Sequence, residues 1–145
     1  KNKTPLTDSL RFYYSKLYGY GNFEPIKVGY ENLKSRGLHL IKDQALRKEI
    51  SILYEYKYYD MVGDIRQAIT HIQELHIDEI VEKLKSESRI SREPVDLKAL
   101  QNDIKFENVT YAIIKTRRWT NTNFEKGQQE IDKVITAIKN YLNKD

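Results

Sequence analysis

The stretch Tyr30–Tyr54, YENLKSRGLHLIKDQALRKEISILY, decides how this chain folds. It reads as a helix that ends at Gly37, a four-residue apolar turn from Leu38 to Ile41, and a new helix that starts at Asp43. Glycine takes the left-handed backbone conformation without steric cost, so Gly37 fits the residue that closes a helix. Leu38 fits the apolar contact that follows such a cap. The Asp43 carboxylate can accept a bond from an amide two or three residues on, which makes it a good N-cap.

Downstream of that corner, Leu46, Ile50, Leu53, Met61, Ile65, Ile69, Ile72, Leu75, Ile80 and Leu84 recur at steps of three and four, with gaps. No proline interrupts them before Pro94. They predict one long helix from Asp43 to about Ser86, with Gly63 as a place for a bend. Ser88 to Val95, SRISREPV, reads as a polar turn, and a short helix follows from Asp96 to about Asn102. A last helix is expected from about Lys105 to Asn143, on a stripe of Phe106, Val109, Ile113, Thr120, Phe124, Ile131, Val134 or Ile135, Ile138 and Leu142. Its polar middle leaves room for a break near Asn121 to Asn123.

Upstream, Gly19, Gly21 and Pro25 mark a loop between two shorter helices. The first starts after Thr4 or Thr7 and presents Leu6, Leu10, Tyr13, Tyr14 and Leu17. The second runs from about Pro25 to Arg36, with Ile26, Gly29 or Tyr30, and Leu33 facing inward. Strict alternation of apolar and polar residues is missing, so no sheet is expected. The class expected is all-α: an elongated antiparallel helical bundle with two long helices, about 43–86 and 105–143, and shorter N-terminal helices, in a single domain spanning 1–145.

Composition agrees. At 145 residues, 39% hydrophobic and 32% charged, the chain suits two-faced helices with much solvated surface. The net charge of +4 comes from 25 basic and 21 acidic residues. Both signs are interspersed with no block of like charges, which reads as a solvated, salt-bridged face. There is no cysteine, which excludes disulfides, thiolate-bound zinc, iron–sulfur clusters and thiol catalysis. No segment approaches the roughly 18 apolar residues of a membrane span, and no signal peptide is read. The start, Lys1-Asn2-Lys3, lacks an initiator methionine and is expected of a fragment of a longer protein.

Few residues point to chemistry. His71 and His76 lie five apart, about 140° around a helix, and cannot share a metal as an i, i+4 pair can. Glu74 and Glu79, three residues after each, are expected as their local partners. His39 reads as a turn residue. Asp60 and Asp64 are four apart and could hold a divalent cation or act as an acid/base pair, although surface carboxylates often show this spacing. No serine sits in a nucleophile elbow, and there is no glycine-rich phosphate loop. No catalytic residue, cofactor or metal is therefore expected. Of the 11 tyrosines, Tyr54 and Tyr58 are expected to line the bundle and Tyr56 and Tyr59 to face outward. Trp119 is expected to pack inward while Arg117 and Arg118 pair with nearby acids. A partner surface is expected at Arg36, His39 and Lys42 together with Tyr56 and Tyr59.

Phe23 and Pro25, the run Tyr30-Glu31-Asn32-Leu33-Lys34-Ser35-Arg36-Gly37, then Leu40-Ile41, Leu46-Arg47, Ile50 and Tyr54 resemble the pattern of an uncharacterised family of bacterial single-span membrane proteins. Arg36 stands where that pattern has a small residue. The resemblance covers about a quarter of the chain. It implies an N-terminal anchor outside this chain and a helical domain of unknown function on the periplasmic side of the inner membrane. It carries over no activity and no site residue. The function expected is a non-catalytic helical ectodomain that works by binding or assembly, with an unknown protein partner or by self-association. Nucleic acid is not an expected partner. A basic helical nucleic-acid-binding module is the alternative, motivated by the pI of about 9.1, the tyrosines and the Lys115–Trp119 cluster.

Overall fold

The computed structural model describes residues 5–19, 24 and 26–143. It is mostly helical, with α1 at Asp8–Tyr18, α2 at Val28–Arg36, a 3₁₀ turn at Leu38–Leu40 and α3 at Gln44–Ile52. A π turn at Leu53–Lys57 leads without interruption into α4, Tyr58–Lys83. Two short strands follow, β1 at Leu84–Ser88 and β2 at Ser91–Pro94, then α5 at Leu97–Leu100 and the long α6 at Ile104–Leu142. The chain divides into two compact units, one from Lys1–Asn22 and Gln67–Arg118, the other from Phe23–Arg66 and Trp119–Asp145.

The first unit closes around Leu17, Ile72, Ile80, Leu84, Leu100, Phe106, Val109 and Ile113, with Tyr14 edge-on to Phe106. Its helices begin where short polar side chains satisfy free amides. Thr7 accepts from Leu10 N–H, Asp96 from Ala99 N–H and Asp103 from Phe106 N–H. The expected single helix to Ser86 stops at Lys83, and the expected polar turn is half of an antiparallel hairpin. Alternation missed it because one strand is all polar after Leu84. Pairing is held by contacts that no single strand displays. Lys85 lies opposite Glu93 and pairs with it at 2.6 Å. Arg11 of α1 reaches the same carboxylate at 3.3 Å, and Arg92 lies over the Tyr18 ring at 4.4 Å. Val95 N–H donates to Lys83 O at 2.9 Å, so the end of α4 also terminates the hairpin.

Below the hairpin sits a buried carboxylate. Glu79 is 5% exposed and pairs with Lys83 at 2.6 Å and with Lys105; Lys83 also pairs with Asp103. The two lysines hold Glu79 below the ordinary carboxylate range, Lys105 contributing most. Buried charge is tolerated only when paired in this way.

The second unit packs Tyr30, Leu46, Ile50, Leu53, Tyr58 and Val134, flanked by Leu33, Leu38, Ile41, Tyr54, Met61, Ile131 and Ile138. Asp43 caps α3 by accepting from Leu46 N–H at 3.1 Å, as its position predicts. Gly37 does end α2, but by a different route: its φ is −155°, and its N–H donates to Leu33 O at 2.9 Å. The cap is hydrogen-bonded without left-handed backbone. At Gly127 the backbone of α6 comes close to Met61, where a β-carbon would lie 2.5 Å from the sulfur.

Several inward assignments reverse. Ile26 is 86% exposed, and Tyr13, Leu75 and Leu142 are also exposed; each sits where the periodic stripe runs past the surface that its unit covers. Of Val134 and Ile135, Val134 is the buried one. The second helix begins at Val28, and Pro25, Thr4 and Gly21 lie outside the described residues. No break occurs near Asn121, because α6 hydrogen-bonds continuously through it, and Gly63 lies inside uninterrupted α4.

Ile113 is fully buried. Ile113→Ala is expected to lower stability by about 2–5 kcal/mol through lost burial and a residual cavity. Leu75→Ala, at an exposed position, is expected to change it by no more than about 0.5 kcal/mol. Urea unfolding curves measure both; equal losses would place the core elsewhere.

Candidate partner-binding surface

The surface expected at the corner and the third helix is organised by the π turn. Tyr58 N–H donates to Leu53 O, five residues back, where an α-helix would use the residue four back. The extra residue lets Leu53 and Tyr58 both be buried although they are five apart. Tyr54 stacks flat on Tyr30, centroids 4.5 Å apart, and meets Tyr58 edge-on at 5.3 Å. Tyr30 Oη and Lys34 Nζ both donate to Glu55 Oε1 at 2.6 Å. Lys34, then Tyr30, hold the Glu55 carboxyl below its ordinary range, whereas burial first and Glu55 second push the Tyr30 phenol up. A carboxylate and one aromatic pair thus tie α2 to the π turn.

With the inner faces of the turn occupied, Tyr56 and Tyr59 point outward, 64% and 71% exposed. Arg36, His39 and Lys42 are also exposed. The five residues do not share one recess. His39 borders an open hollow of about 670 Å³ with Lys34, Leu38, Gln44, Arg47, Lys48 and Ser51. Tyr59 borders another, of about 420 Å³, with Lys27, Val62, Gly63 and Arg66. Arg36, Lys42 and Tyr56 line neither of these two.

The residues missed were Lys34, Arg47 and Lys48, and the signal was available as a local charge sum. Lys34–Lys48 holds five lysines and arginines and one acid, Asp43. The chain as a whole has 25 and 21, so the remainder is balanced at 20 of each. The corner thus carries a local excess of four positive charges, and its one acid is spent capping α3. Arg47 is held in place by donating to Ile41 O at 2.8 Å and more weakly to His39 O at 3.5 Å. Lys42 N–H donates to Tyr141 Oη at 3.2 Å, which pins the exit of the turn to α6.

Other candidates go to structural work. Arg117 donates to Gly19 O at 2.9 Å and to Lys16 O, closing the C-terminal end of α1. Trp119 is 41% exposed rather than inward. Glu79, expected beside His76, is taken by Lys83 and Lys105. His71, Asp60 and Asp64 are exposed and His76 is half-buried. Among the described residues, no group of three or more His, Cys, Asp or Glu is placed to hold a metal ion, and no helix is long and apolar enough to cross a membrane. Comparison of the chain with protein-family models, curated proteins and solved structures finds no match.

Glu130 ties α6 to the end of the π turn through Lys57, and it pairs with Lys133 at 2.6 Å. Lys133 first and Lys57 second hold it down to about 2, from 4.5. A carboxylate depressed on folding contributes stability above its unfolded value, and that contribution is lost as pH falls through its folded value. Stability is therefore expected to fall between about pH 4.5 and 2, and Glu130→Gln to make that decline shallower. Urea midpoints across this range measure it; an unchanged slope in the variant would show that Glu130 is not tied down in solution.

Proposed function

We propose that this chain is a non-catalytic binding domain, the extracytoplasmic part of a membrane-anchored bacterial protein, acting by binding or assembly through its basic corner and the tyrosines beside it. The observation that carries the reading is the local excess of five lysines and arginines over one acid in Lys34–Lys48, on a turn whose backbone is fixed by Arg47, Asp43 and Tyr141. A charge excess spread over a surface serves solubility; one gathered on a fixed turn serves recognition. Exposed tyrosines add apolar area at small entropic cost, because two torsions define the ring. The carboxylates with shifted ionisation, Glu55, Glu79, Glu93, Asp103 and Glu130, are each tied to lysines that hold structural elements together, which supports a binding role over acid–base catalysis. The periplasmic location rests on the resemblance in Phe23–Tyr54.

Binding to nucleic acid is the second reading, and the basic corner favours it. A protein that tracks a phosphate backbone makes about 6–10 phosphate contacts. The corner offers three cations in one hollow, and Arg117 of the other basic cluster is engaged with α1. Protein is the better-supported partner.

Photo-crosslinking in the source cell tests the surface. A benzophenone side chain at Arg36 or Tyr56 is expected to give light-dependent adducts, and one at the exposed Lys126 of α6 none. No adduct at Arg36 or Tyr56, or equal adducts at Lys126, would remove the corner as the working surface.

A further inference from the structure

We infer that the corner hollow takes an acidic peptide segment of a partner protein. This rests on the reading of the corner as a partner surface and adds the chemistry of the occupant. Three cationic side chains line the hollow, Lys34, Arg47 and Lys48, together with His39, and among the described residues no carboxylate lines it. Lys34 is partly satisfied by Glu55. Arg47 and Lys48 are paired with no described carboxylate. Arg47 spends one guanidinium nitrogen on backbone carbonyls, so the side chain is already ordered and its remaining N–H groups stay available. A planar fork held this way loses little freedom when it donates to a carboxylate. Leu38 supplies an apolar wall, and Leu40, 68% exposed, stands on the same 3₁₀ turn. The occupant that answers all of these groups carries carboxylates on one side and an apolar side chain between them.

The same features rank the alternatives below a peptide. A duplex or single strand spreads its phosphates over a longer track than one hollow provides. An anionic bilayer spreads its charge over a wide plane, whereas here three cations are gathered beside the apolar Leu38 and Leu40.

The test is a fluorescence-anisotropy titration of the whole chain with a fluorescein-labelled peptide rich in glutamate and leucine. A lysine-and-leucine peptide of equal length serves as control, and a labelled single-stranded oligonucleotide and phosphatidylglycerol vesicles are run in parallel. The acidic peptide is expected to bind saturably and more weakly as salt is raised. Lys48→Glu is expected to weaken it about tenfold; Lys126→Glu, an identical charge change on α6, should leave it within about twofold, and circular dichroism should show both variants folded. Equal losses in the two variants, no binding of the acidic peptide, or tighter binding of the oligonucleotide or vesicles would overturn the proposal. Crosslinking at Arg36 without peptide binding would mean that the surface is right and the occupant wrong; no crosslinking would remove the surface itself.

Discussion

One backbone hydrogen bond, from Tyr58 N–H to Leu53 O, sets the packing of the second unit. Before it, Leu46, Ile50 and Leu53 follow the ordinary steps of four and three; after it, Tyr58 and Met61 resume them. The intervening step is five. In an α-helix five residues advance the face by about 140° beyond a full turn, which would carry Tyr58 off the buried face. The π turn absorbs the surplus residue, and all five side chains meet one core. It also aligns Tyr54 with Tyr30 and brings Glu55 under both Tyr30 and Lys34. Those contacts hold α2 against the turn, and α2 in turn fixes where the corner begins. The basic hollow and the outward tyrosines are consequences of that arrangement.

The first unit solves a different problem. Its hairpin has little apolar surface of its own, and a two-stranded ribbon is marginal in water. Here α1 packs along β2, and Arg11, itself held by Asp8 at 2.9 Å, joins Lys85 on Glu93. Exposed pairs of this kind each contribute little, so the ribbon depends on Leu84 and on the helix across it. Glu79 is the opposite case. It is buried among Lys83 and Lys105, and removing both partners would leave a charge without compensation, which costs more than the pairs contribute.

The helices were legible because their signals are local. Caps at Thr7, Asp43 and Asp96 lie within three residues of the amides they satisfy, and the stripe of Phe106, Val109, Ile113 and Val134 is visible as spacing. The outward placement of Tyr56 and Tyr59 followed from the same geometry. The hairpin was not legible, because it depends on α1 packed across it, whose Arg11 lies 82 positions from its partner Glu93. The π turn was present in the sequence only as a gap in the periodicity, which reads equally as a lapse in the stripe. The cations of the corner were legible one by one. Their meaning appears only when the local excess is counted and the fold gathers three of them, Lys34, Arg47 and Lys48, on one hollow.

The central claim is that one surplus residue between Leu53 and Tyr58 is absorbed as a π turn. Deleting Tyr56 tests it most directly, with deletion of Glu49 in α3 as the reference and urea unfolding as the measurement. In a plain α-helix a deletion rotates everything downstream by about 100° and scrambles the buried face. The account predicts that the chain without Tyr56 keeps a cooperative transition with the parent m-value, its helix regularised with Leu53 and Tyr58 still buried, while the chain without Glu49 loses it. If the two deletions are equally damaging, the surplus residue is not where this structure puts it.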